Sequence, residues 1–142
     1  MPRPRHPQGL EPVALVLLTC DQVYTDQASG KSTLLGLFSA IAATEFPFVV
    51  PQICIFVVLT EGRGRCMLSI KVIDAAESMA PLVEEYVGVE FRNPLDAEEL
   101  TFQMFDVEFP AAGEYRVQLF AGAALLAERR MVIDLSETDD EI

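Results

Sequence analysis

Two kinds of apolar pattern run along the chain. In the second half, apolar and polar residues alternate. Tyr115, Val117 and Leu119 share one parity, and Glu114, Arg116 and Gln118 hold the other. Leu68, Ile70 and Val72 alternate with Ser69 and Lys71 in the same way. Successive side chains of an extended chain point to opposite faces, so this period predicts strands with one face on a core and one in water. Leu100, Phe102 and Met104 keep one parity, but Phe105, Val107 and Phe109 continue on the other. A one-residue bulge near Met104–Phe105 would restore a single buried face.

The first half lacks this alternation. Val13–Leu18 and Ile53–Leu59 are apolar on both parities. A strand with one wet face does not carry that pattern, so these segments need cover on two sides. The cover comes either from this chain, through the connector over 42–51, or from another subunit.

Turn chemistry divides the body into about eight strands. Val13–Tyr24 is followed by a polar loop, Thr25–Lys31, and Ser32–Ile41 reads as the second strand. Phe46–Pro51 is bracketed by prolines and reads as a connector or a short edge strand. Gln52–Thr60 and Arg65–Ile73 flank Glu61-Gly62-Arg63-Gly64, which reads as a hairpin loop. Leu82–Phe91 comes next. Asn93 followed by Pro94 has the form of a helix cap and first helical position, predicting one short helical turn to Glu99. Leu100–Phe109 precedes a last hairpin, Glu114–Phe120 and Ala123–Ile133, around Ala121-Gly122. The predicted fold is all-β: an immunoglobulin-like or Greek-key β-sandwich of seven to nine mostly antiparallel strands with at most one short helical turn. Residues 1–12, with four prolines, read as a disordered arm, and residues 136–142, with four acids, as an acidic disordered tail. A single domain over 13–135 remains.

Composition narrows the function classes. The 142 residues suit one domain, and 51% apolar content suits an ordered core. The net charge of -12 opposes binding to nucleic acid or to an anionic membrane surface. The longest apolar stretch, Phe46–Leu59, is interrupted by Pro47, Pro51 and Gln52 and falls short of the ~20 residues of a membrane-spanning helix. The expected partner is another protein or a second copy. Cys20, Cys54 and Cys66 make an odd count without metal-ligand spacing. They read as reduced, buried residues of a cytoplasmic protein, with one disulfide plus a free thiol as the alternative.

Candidate chemistry is sparse. Gly30-Lys31-Ser32 imitates the end of a phosphate-binding loop, but Thr25 stands where the motif needs glycine and a strand pattern follows the serine. A hairpin loop explains the string. His6 is the only histidine and lies in the arm, so neither a Ser-His nor a Cys-His pair can be assembled in the body. No catalytic residue, metal or cofactor is expected. The acids Glu84, Glu85, Glu90, Asp96, Glu98, Glu99, Asp106 and Glu108 share a stretch in which Arg92 is the only base. They read as a solvent face guarding strand edges, or as a surface for a basic partner. Asp21, Asp26, Gly30 and Lys31, at one sandwich end, form a candidate binding loop, although Asp26 can simply close its own turn. Arg3, Arg5, Val13–Leu18 and Cys20 imitate a lipoprotein signal, with an apolar run shorter than such signals use. Three readings follow: a non-enzymatic binding or assembly module, a small-ligand-binding or hydrolytic domain using the Asp21–Lys31 loop, and a surface lipoprotein anchored at Cys20.

The order Cys20-Asp21-Gln22-Val23-Tyr24, Ser29-Gly30-Lys31-Ser32, Leu35-Gly36-Leu37-Phe38, Phe46-Pro47, with the closing Pro110, Gly113-Glu114-Tyr115 and Ala121-Gly122, resembles an uncharacterised bacterial family of domains of unknown function. The resemblance covers about residues 13–135. It implies a small β-rich protein and carries over no catalytic residue. The final hairpin is also similar to the last two strands of many immunoglobulin-like sandwiches, where a Gly-x-Tyr opens a strand.

Overall fold

The computed structural model describes residues 11–136. The expected arm and tail therefore fall almost wholly outside the described residues. At their inner ends, Pro12 is buried and the Ser136 amide donates to the Ala43 carbonyl at 2.6 Å.

Nine strands follow in order: β1 (Val13–Thr25), β2 (Ser32–Leu37), β3 (Ala40–Ala43), β4 (Phe48–Thr60), β5 (Gly64–Asp74), β6 (Val83–Phe91), β7 (Glu98–Phe109), β8 (Gly113–Ala121) and β9 (Ala124–Leu135). They form a four-stranded sheet, β2-β1-β4-β7, and a five-stranded sheet, β3-β9-β8-β5-β6. All pairings are antiparallel except β3 with β9. The order β9-β8-β5-β6 against β1-β4-β7 is that of an immunoglobulin-like sandwich. Tyr115 supplies the tyrosine corner of that fold: its hydroxyl donates to the Ala111 carbonyl at 2.6 Å, and its ring meets Phe109 edge-on at 5.0 Å. Ile55, Val57 and Leu59 of β4 join Leu68, Ile70 and Val72 of β5 and Val117 and Leu119 of β8 in the core, all fully buried. Each such burial stabilises by roughly 1.5–3 kcal/mol relative to an exposed side chain.

Several expectations are corrected. The predicted strand Ser32–Ile41 is two strands, because the chain leaves the four-stranded sheet after Leu37 and joins the five-stranded one at Ala40. The crossing is fixed at Thr19, whose carbonyl accepts from the Phe38 amide at 3.1 Å and whose hydroxyl donates to the Phe38 carbonyl. Phe48–Pro51 is not a connector: β4 starts at Phe48, and Phe48–Val50 pairs with Val107–Phe109. Glu61–Gly64 is no hairpin, since it links β4 in one sheet to β5 in the other. The ring of Phe91 lies on Gly62, where any Cβ would overlap it. Asn93–Asp96 is a turn instead of a helix start. The Asn93 side chain accepts from the Leu95 amide at 2.9 Å and its carbonyl from the Asp96 amide at 3.0 Å, and β7 then begins at Glu98.

The parity slip of β7 also has another cause than a bulge. The β4–β7 register is constant from Phe48↔Phe109 to Leu59↔Glu98. Both strands change parity at one level. Phe48 and Val50 face the core before Pro51, and Ile53 and Ile55 after it; Phe109 and Val107 are matched by Met104 and Phe102. Pro51 and Asp106 are the two extra residues, set opposite each other, and Asp106 takes a left-handed φ of 53°, which aspartate tolerates better than most residues. One inserted residue per strand bends the pair without offsetting it.

The two-sided apolar strands find their second cover within the chain. Were β1 to continue straight, its register would set Thr25 beside Val49, about 30 Å along β4 from Val58, the partner of Glu99. Instead Ser32, the partner of Thr25, donates from its hydroxyl to the Glu99 carboxylate at 2.7 Å. The Asp21 carbonyl accepts from the Gln52 amide group at 3.1 Å and from the Cys54 thiol at 3.6 Å. The β1–β2 hairpin therefore turns at Asp21 and folds back over the outer face of its own sheet. Beneath it Cys20, Cys54 and Phe56 are buried, apart from the main core. Val23 and its partner Leu34 are half-buried on the hairpin's underside, and Tyr24 and Leu35 are exposed on its other side. The expected cover over 42–51 is thus replaced by 21–37. Val13 and Leu15 escape it: the register slips between Ala14 and Val16, and the two stand 44% and 57% exposed.

Candidate functional site

The hairpin and its pivot hold the residues singled out from the sequence, but do not bring them together. Asp21 lies at the pivot. Five residue steps, roughly 16 Å of extended chain, separate it from Asp26 at the tip. Asp26, Gly30 and Lys31 close the tip on themselves. The Asp26 carboxylate accepts from the Ser29 amide at 2.7 Å, the Asp26 carbonyl from the Gly30 amide at 2.7 Å, and the Lys31 carbonyl from the Asp26 amide at 2.8 Å. The Ser29 amide and hydroxyl hold the Asp26 carboxyl below its ordinary range. Gly30 has a φ of 74°, which a residue with a Cβ adopts at a cost. The tip is a satisfied turn, and no helix follows Ser32 to aim amides at a phosphate.

At the pivot a cavity of about 330 Å³ opens between Asp21, Leu37, Phe38, Ile41, Phe48 and Val50, with Gly36 and Pro51 also on its wall. Asp21 is the one titratable side chain lining it. Its carboxylate lies over Gly36, where a Cβ would overlap it, and Gly36 has a φ of 69°. Gly36 and Pro51 were the available signals for this site, since an isolated glycine or proline within a strand pattern marks a bend or a close backbone approach.

The pivot also gathers two of the three cysteines. Cys20 and Cys54 are directly opposite each other on β1 and β4, and both are fully buried. Burial pushes the Cys20 thiol up, and the neighbouring Cys54 adds to the shift. A lipid anchor at Cys20 does not fit a residue in mid-strand, since cleavage there would remove the half of β1 that pairs with β4. Cys66 lies in the other sheet, partly buried, with its thiol pushed up by burial and then by Glu11. Among the described residues no group of three or more His, Cys, Asp or Glu side chains could hold a metal, and no helix is long and apolar enough to cross a membrane.

The chain belongs to DUF6941, a family of unknown function whose sequence pattern matches residues 15–134. No curated protein matches it. Among solved structures, it is similar to a β-glucosidase from Erythrobacter marinus at 15% identity and a TM-score of 0.47, covering 68% of this chain and 14% of that one. A β-glucosidase from Kluyveromyces marxianus gives 13% identity and a TM-score of 0.44, covering 69% and 15%. An immunoglobulin-like protein from Pseudomonas aeruginosa gives 14% identity and a TM-score of 0.40, covering 87% and 96%. The chain thus spans about one-seventh of either glucosidase, and these likenesses say nothing of its activity.

Proposed function

We propose that this member of the family is a non-enzymatic assembly module that self-associates through the outward side and free edge of its β1–β2 hairpin. The observation that carries this reading is an uncharged, apolar surface on a chain of net charge -12. Tyr24, Leu35 and Leu37 are 56%, 48% and 59% exposed, and Gln22 and Thr33 between them carry no charge. Together the three offer roughly 300 Å² of side chain, enough for the apolar centre of a standard ~800 Å² footprint. The edges of the two sheets differ in the same sense. β7 carries Glu98, Glu99, Asp106 and Glu108, and β6 carries Glu84, Glu85 and Glu90; such charges keep edges from pairing. β3 is only four residues long. β2 has no charged residue at all. Two copies can meet there, β2 against β2 about a twofold axis, without setting like charges together. The lone titratable group at the cavity supports a non-enzymatic role.

Light scattering from 1 to 100 µM (roughly the range that separates weak from stable pairs) is expected to show a dimer. Leu35→Glu is expected to give a folded monomer. A wild-type chain that stays monomeric throughout, or a Leu35→Glu variant that stays dimeric, removes this reading.

A further inference from the structure

We propose that Cys20 and Cys54 form a modification site, a dithiol that closes to a cross-strand disulfide and pins the hairpin at its pivot. Residues directly opposite on antiparallel strands have Cα atoms roughly 4.5–5.5 Å apart, inside the 4.4–6.8 Å range of disulfides. Cys20 and Cys54 are such a pair, with side chains on the same face of the sheet. Their sulfurs lie against successive carbonyls of the same strand: the Cys20 thiol at 3.5 Å from the Gln22 carbonyl and the Cys54 thiol at 3.6 Å from the Asp21 carbonyl. Cys66 cannot compete for either. It is on β5 in the facing sheet, and packed sheets lie about 10 Å apart, beyond the reach of a disulfide.

The oxidant is a small disulfide such as glutathione disulfide. One protein thiolate attacks it, forming a mixed disulfide and releasing one glutathione thiolate. The second protein thiolate attacks the protein sulfur of that bond and releases the other glutathione. The protein pair loses two electrons and two protons, and the oxidant becomes two thiols. Burial holds both thiols away from solvent and raises the Cys20 pKa, so closure in the folded protein needs the hairpin to lift from Asp21 onward. Closure during folding meets no such barrier. The bond would close a loop of about 35 residues and constrain the unfolded chain accordingly.

The test refolds the full chain from denaturant in a glutathione redox buffer, then alkylates remaining thiols and maps the peptides by mass spectrometry. Wild type and Cys66→Ser are expected to lose the mass of two hydrogens in a Cys20–Cys54 linkage, with Cys66 alkylated in the wild type. Oxidised protein is expected to melt higher than reduced protein by on the order of 10 °C. Cys54→Ser is expected to lose both the linkage and the added stability. Natively folded wild type with all three thiols alkylated under excess glutathione disulfide overturns the proposal, as does a bond to Cys66. Because the decisive measurement is on the wild type, a variant that fails to fold does not decide it. A monomer that forms the disulfide would remove the assembly reading and leave this one standing.

Discussion

On the outer face of the five-stranded sheet, Glu84, Lys71, Gln118 and Glu128 lie side by side across β6, β5, β8 and β9. Lys71 pairs with Glu84 at 3.7 Å, and Gln118 donates to Glu128 at 2.7 Å. In the next row Arg116 and Arg130 are directly opposite, a repulsive placement, and Glu114 bridges them at 3.3 and 3.6 Å. The corresponding face of the four-stranded sheet has Leu18, Phe56 and Thr101 in one row and Cys20, Cys54 and Gln103 in another. One face meets water and is charged. The other meets a third layer and is apolar. The comparison teaches that a two-sided apolar strand in a small sandwich reports a local third layer as readily as a second subunit. It also shows that a hairpin can supply that layer by bending at a single level of its own sheet.

Three measurements test this contrast, beginning with the largest effect. Phe56 is on an outer face yet only 7% exposed. Phe56→Ala is expected to cost about 3–5 kcal/mol in urea unfolding, as for a core phenylalanine. Arg116→Ala, at the centre of the charged face, is expected to cost under about 1 kcal/mol, because exposed ion pairs are worth little. Equal losses at the two positions would show that the faces do not differ in this way.

The bend itself is the second target. Gly36→Ala adds a Cβ at a left-handed φ of 69° and against the Asp21 carboxylate. The expected destabilisation is about 1–3 kcal/mol, with faster alkylation of Cys54 as the hairpin loosens. An unchanged thiol reaction rate would separate the glycine from the hairpin's closure.

Acid gives the smallest effect. The folded pKa of Asp26 lies below its unfolded value, mainly through the Ser29 amide, and that of Asp74 likewise through the Ser78 hydroxyl and amide. A depressed folded pKa adds stability above the unfolded value of about 3.9 and loses it as pH falls through the folded one. Melting temperature is expected to fall across that window, and Asp26→Asn with Asp74→Asn to flatten the decline. A double variant with an unaltered acid profile would remove these turns as its source.

The last hairpin shows what local sequence reaches. Gly113-Glu114-Tyr115 opens β8, strict alternation carries β8, and Gly122 turns the chain at a φ of 58°, all as its residues imply. The resemblance to a family of unknown function also held over nearly the whole body. The candidate loop was legible only in part. Asp26 closes its turn, but the cavity belongs to Asp21 and to apolar residues from β2, β3 and β4 that no local pattern connects.

By itself, the sequence determined the fold class, most strand positions and the need for two-sided cover at Ile53–Leu59 and Val16–Leu18, but not that Val13 and Leu15 go without it. These follow from period-two alternation and turn residues, which act within a few positions along the chain. Only the tertiary structure decided what supplies the cover, how Pro51 and Asp106 slip together, and that Cys20 faces Cys54. Those outcomes depend on register between distant strands, and pairing partners are chosen by the packing of the whole sheet and not by either strand alone.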